Sequence, residues 1–137
     1  VKRILVAIND SRPALAAATV ATELAASQNA QLHFVTVTEP DGDTTDVIRH
    51  VADLAAREGL TPTSTEADGG DPFEVLLRVA REWHADLIVM GRSDKRRPGV
   101  PYVGSQTEHL LEFTHLPVLV VPDPTPPDPD RRPGFGR

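Results

Sequence analysis

The stretch TPTSTEA, residues 61–67, decides the fold. It has the length of a strand and lies between two helical patterns. Pro62 cannot donate to a ladder, and Thr63, Ser64, Thr65 and Glu66 suit a solvated position, so this strand belongs at the edge of its sheet. On its amino side, Ile4–Ile8 and Leu32–Val37 are short apolar runs of the kind covered on both faces. On its carboxyl side, ADLIVMG (85–91) and LPVLVVP (116–122) are two more. Helical patterns fill the intervals. Ser11 caps the first, Pro13 sits in its first turn, and Ala14, Ala17, Ala21 and Leu24 give it a small-residue face. Val47, Val51, Leu54 and Ala55 mark the second, ending near Gly59. In GGDPFEVLLRVAREWH (69–84), Asp71, Pro72 and Glu74 form a capping box. Phe73, Leu76, Leu77, Ala80 and Trp83 or His84 follow as an apolar stripe. Thr107, Leu110, Leu111 and Thr114 outline the fourth helix.

Strands alternating with helices imply an α/β, doubly wound, five-stranded parallel sheet with right-handed crossovers and helices on both faces. Of the two common orders, 2-1-3-4-5 buries the third strand and 3-2-1-4-5 leaves it at an edge. The polar run selects 3-2-1-4-5. The chain then reverses direction between its first and fourth strands, and ligands of such sheets bind beyond the carboxyl ends at that point. The loops there are Asn9–Ser11 and residues 91–105.

The chain has 137 residues, room for one domain over residues 1–122, followed by a proline-rich tail, DPTPPDPDRRPGFGR (123–137), expected to be flexible. A net charge of −6 gives no overall field for nucleic acid or an anionic membrane surface. There is no cysteine, hence no disulfide, thiol nucleophile or cysteine-held zinc. No apolar run approaches the roughly 20 residues of a membrane span, and the basic pair in VKRILVAI precedes too short a run for a signal peptide. The expectation is a cytoplasmic protein.

The second loop, GRSDKRRPGVPYVGS (91–105), carries three glycines and a basic run into a helix N-terminus, where free N–H groups and the helix dipole attract anions. Gly104 would let the backbone approach a phosphate and Ser105 could add its hydroxyl. Gly91 would let a ligand pass close to the chain, while Met90 and Val37 could offer apolar contacts to a base. Each feature has a plainer reading. Ser105 with Glu108 is also a capping box, the glycines also serve turns, Met90 also fits a core, and a basic run also makes a solvated face. The length of the loop favours function.

These residues give the chain its resemblance to a family. ILVAINDS at the start, DLIVMGR in the fourth strand, VGS before the last helix and PVLVVP at the end resemble the universal stress proteins of the single-domain, adenine-nucleotide-fold type. The family's nucleotide signature is glycine, two residues, glycine, nine residues, then glycine and serine or threonine. Gly91, Asp94, Gly104 and Ser105 keep that spacing, with Asp94 in place of the second glycine. Asn9 stands where the family usually has aspartate. The resemblance implies Ala7, Asn9 and Val37 near a base and ribose, and Met90, Gly91, Gly104 and Ser105 toward the phosphates of ATP or another adenine nucleotide. Asp94 about 4 Å from a phosphate would cost about 1 kcal/mol in water and about 4 kcal/mol at an effective dielectric near 20. Lys95, Arg96 and Arg97 would offset this, and a Mg²⁺ between Asp94 and the phosphates would reverse it.

The reading is therefore a stress-response protein that acts by binding rather than turnover. The alternative is a member that has lost nucleotide binding and works through protein contacts. An enzyme finds little support: His33, His50, His84, His109 and His115 are scattered without triad or metal spacing, and no base for ATP hydrolysis can be named. A phosphoacceptor receiver could use Asp10 and Asp68, but wants a lysine after the fifth strand, where Val121-Pro122-Asp123 stands. The apolar fifth strand, Val118, Leu119, Val120 and Val121, predicts a homodimer by edge pairing, as the resemblance also implies.

Overall fold

The computed structural model describes residues 1–9, 11–38, 45–92 and 105–122, and within them the side chains of Thr38, Thr45, Asp68, Ser105, Gln106, Thr107 and His109 are not described. The proline-rich tail therefore lies outside the described residues. The elements run β1 (Arg3–Ala7), α1 (Arg12–Gln28), β2 (Gln31–Thr38), α2 (Thr45–Arg57), β3 (Thr63–Asp68), α3 (Pro72–Trp83), β4 (Leu87–Gly91), α4 (Ser105–Phe113) and β5 (Val118–Val121). All neighbouring strands pair in parallel and the order is β3-β2-β1-β4-β5. The polar run is an edge strand, and Pro62 lies just before it, where its missing N–H breaks no ladder bond.

Alternation along the strands divides the core in two. Ile4, Val6, Phe34 and Val89 face α1 and α2. Leu5, Val35, Ile88 and Met90 face α3 and α4. Each fully buried large side chain contributes about 1.5–3 kcal/mol of apolar burial. On α1, Ala14, Ala17, Ala18, Ala21 and Ala25 are buried, so the helix backbone lies close on the sheet. Thr22 is buried among them and donates to the Ala18 carbonyl at 2.7 Å. Thr36, equally buried on β2, leaves its Oγ1 without a hydrogen-bond partner among the described residues.

The helix ends follow their local chemistry. Ser11 Oγ accepts from the Ala14 amide at 3.2 Å. Asp71 caps α3 by accepting from the Phe73 amide at 3.0 Å, one residue short of the capping-box partner expected from its spacing. Gly69 and Gly70, at φ +83° and +93°, turn the chain from β3 into α3 in a region that other residues rarely enter. The apolar stripe of α3 is rotated from the expected one. Val75, Leu76, Val79 and Ala80 are its buried residues, Phe73, Leu77 and Trp83 flank them, and His84 is an exposed left-handed cap. On α4, Leu110 is buried but Leu111 is 51% exposed, so one leucine of the expected pair faces outward. Thr114 lies past the helix end and accepts from the Leu116 amide. No helix among the described residues is long and apolar enough to cross a membrane.

Candidate functional site

The carboxyl edge of the sheet holds the strand reversal. β1 and β4 are neighbours, registered Leu5 to Ile88 and Val6 to Val89, yet their outgoing segments lead to helices on opposite faces, α1 and α4. Backbone bonds fix both strand exits: the Ile8 amide donates to Val35 at 2.8 Å and the Arg92 amide to Val121 at 2.7 Å. α1 and α4 run back from this edge, so both place their N-termini there. The first turn of α1 contains no acidic residue to offset the dipole.

Of the residues singled out in the sequence, Ala7, Val37 and Met90 end up on one face. Each packs on the cluster shared with α3 and α4. They come from β1, β2 and β4, and period-two alternation brings them together. Ala7 and Val37 are half-buried, whereas Met90 is buried and offers only an edge. Asn9 is exposed just beyond β1. Gly91 has a structural reason of its own: a Cβ built there would lie 2.4 Å from the Pro13 carbonyl carbon and 2.5 Å from its oxygen. The space of a missing side chain is occupied by the first turn of α1. Ser105 opens α4, and Leu110 of that helix joins the same cluster as Ala7, Val37 and Met90. Asp94 and Gly104 lie outside the described residues, so the glycine signature is described only at its two ends. Among the described residues, no three His, Asp or Glu side chains are grouped to hold a metal ion.

The amino half of the sheet contains what the sequence reading missed. His33 is 7% exposed, and both ring nitrogens bond to threonine hydroxyls of β3, Nδ1 to Thr63 and Nε2 to Thr65 at 2.7 Å. Its ring lies 5.1 Å from that of Trp83. The Arg3 guanidinium is 5.6 Å from the same indole and donates to the Trp83 carbonyl at 2.6 Å. Asp86 accepts from the Lys2 and Arg3 amides, both at 2.9 Å. Those two bonds, that of Lys2 first, hold its carboxyl below the usual range. A shallow depression of about 270 Å³ lies here, lined by His33, Thr65, Arg78, Val79, Glu82 and Trp83. Period two put His33 on the same face as Val35, but the tolerance for an imidazole comes from Thr63 and Thr65, thirty residues away. The polar character of the third strand was the signal for it.

Comparisons with known proteins agree with this architecture. The universal stress protein family model matches residues 1–50 and 45–122. The stress response protein NhaX of Bacillus subtilis is 28% identical over 116 residues, 83% of this chain and 70% of that protein. Universal stress protein MJ0531 of Methanocaldococcus jannaschii is 33% identical over 79 residues, 58% of this chain but only 46% of that protein. A solved universal stress protein in complex with cAMP superposes with a TM-score of 0.74 at 26% identity, covering 89% of this chain and 97% of that one. With the family model matched along the chain to Pro122 and the strand order that of its fold, the protein belongs to the universal stress protein family.

Proposed function

We propose that this chain is a cytoplasmic stress-response protein that binds an adenine nucleotide at the carboxyl edge and acts by binding rather than turnover. The observation that carries the reading is the convergence of Ala7, Val37 and Met90 on one face at the strand reversal, beside the helix opened by Ser105. Their apolar surface suits a purine, and the amide groups at the start of α4 suit its phosphates. The cAMP bound by a 26% identical relative supports the same class of ligand. Asn9 would hydrogen-bond the ribose or base, Gly104 would admit the phosphates, and Asp94 would either repel them or share a Mg²⁺ with them; Gly91 would serve instead to seat the end of β4 on α1.

Titration calorimetry with ATP, AMP and cAMP, each with and without Mg²⁺, tests the proposal. Micromolar heats for at least one nucleotide are expected, and flat traces for all would refute it. Asp94→Gly then separates the two roles of the carboxylate. Stronger binding without Mg²⁺ marks repulsion, and loss of Mg²⁺-dependent affinity marks metal sharing. Protein contact has support from a separate feature. Leu119 is 38% exposed on β5, whose outer edge pairs with no strand among the described residues. A homodimer through Val118–Val121 would cover it, and sedimentation as a monomer at micromolar concentration would reject that assembly.

A further inference from the structure

The buried imidazole at the opposite end of the sheet has no part in nucleotide binding, and its setting is specific. β3 is an edge strand, held on one side only, by β2, among the described residues. Its face toward α3 presents Thr63 and Thr65, and both hydroxyls are used on the two nitrogens of one ring. We propose that His33 is a proton-operated fastener of β3: the neutral ring ties the edge strand to the sheet, and charging the ring releases it.

In the neutral ring one nitrogen donates and the other accepts, so one threonine accepts and the other donates. A second proton turns the accepting nitrogen into a donor. The threonine that had donated to it must swing its hydroxyl hydrogen away, and the new charge sits in a nearly closed site. The charged groups around the ring are few. From β1, Arg3 lies against the same indole. From α3, Arg78 and Glu82 line the depression with His33. From β3, Glu66 falls on the opposite face by alternation. Arg78 and Glu82 carry opposite charges and line the same depression, and burial pushes the His33 imidazole below its ordinary value. His33 lines the depression and is 7% exposed as a residue, a route for exchange with solvent protons.

The direction of the effect follows. With the ring's affinity for a proton lower when β3 is docked, the open state binds more protons, and docking weakens as pH falls. The loss begins near the ordinary histidine value of about 6.5 and continues through the lower, docked value.

Trp83 is the only tryptophan in the chain, and an imidazolium in contact quenches an indole. Fluorescence of the intact protein therefore reports the charge on His33. Titration from pH 8 to 5 should quench Trp83 with a midpoint below about 6.5. Over the same interval, amide exchange in β3, corrected for its intrinsic pH dependence, should accelerate several-fold relative to β1, in the direction that the linkage requires. His84→Asn, which keeps a residue suited to the left-handed cap, should leave both curves in place. His33→Gln should abolish both. Should that variant not fold, Thr65→Val serves, and its midpoint and exchange profile should shift together. A midpoint at or above 6.5, β3 protection that ignores the midpoint, or an unchanged acceleration in His33→Gln would each overturn the proposal.

Discussion

The two ends of one sheet use their polar groups in opposite ways. At the amino end they are turned on each other: Asp86 takes the amides of Lys2 and Arg3, Arg3 takes the Trp83 carbonyl, and His33 takes two threonines. At the carboxyl end β1 and β4 stop on the small residues Ala7 and Gly91, Val37 stands one residue before the end of β2, and Asn9 is exposed. The helices explain the contrast. Their C-termini come down at the amino end, where short returns pack the chain against itself. Their N-termini lie at the carboxyl end, where Ser11 and Asp71 cap α1 and α3. The amino end of the sheet is thereby closed on itself, and the carboxyl end is the one proposed above to be receptive.

The largest expected effect breaks the contrast at the receptive end. Gly91→Ala places a Cβ against the Pro13 backbone, and overpacking of this kind should cost about 3 kcal/mol. Thermal unfolding would register it as a fall of roughly 12 °C, at about 4 °C per kcal/mol. A fall below 2 °C would show that α1 can withdraw, and that the end of β4 is looser than its contacts indicate. The next effect lies between the two ends and has the opposite sign. Thr36→Val removes a buried hydroxyl that has no partner among the described residues, and should stabilise the protein by about 1 kcal/mol. Destabilisation in urea would mean that the hydroxyl is used. The smallest belongs to the closed end. With its carboxyl held below the usual range, Asp86 contributes stability above the unfolded value of 3.8, lost as pH falls through the lower folded one. Asp86→Asn should therefore flatten the acid limb of a Tm–pH curve, and an unchanged slope below pH 4 would remove Asp86 from the account.

Much of this was legible in the sequence because it depends on short-range chemistry. Pro62 and its polar neighbours placed β3 at the edge, and from that one placement the strand order and the position of the reversal followed. Val37 and Met90 were legible as strand ends and Ala7 through the family resemblance, and their shared face follows from alternation. What the sequence hid depends on distance. The rotation of α3, with Val75 and Val79 inward, is set by how the helix seats on Val35 and Ile88 rather than by its own periodicity. Leu111 continued a plausible stripe, but α4 buries a single row through Leu110. His33 looked like one scattered histidine, because its two hydrogen-bond partners arrive from another strand.

Gly91 carries a mechanical consequence for the crevice. Since the start of α1 rests directly on the end of β4, neither segment can move toward the other without a clash. Any ligand bound there, as proposed, would meet α1 and β4 as one joined surface.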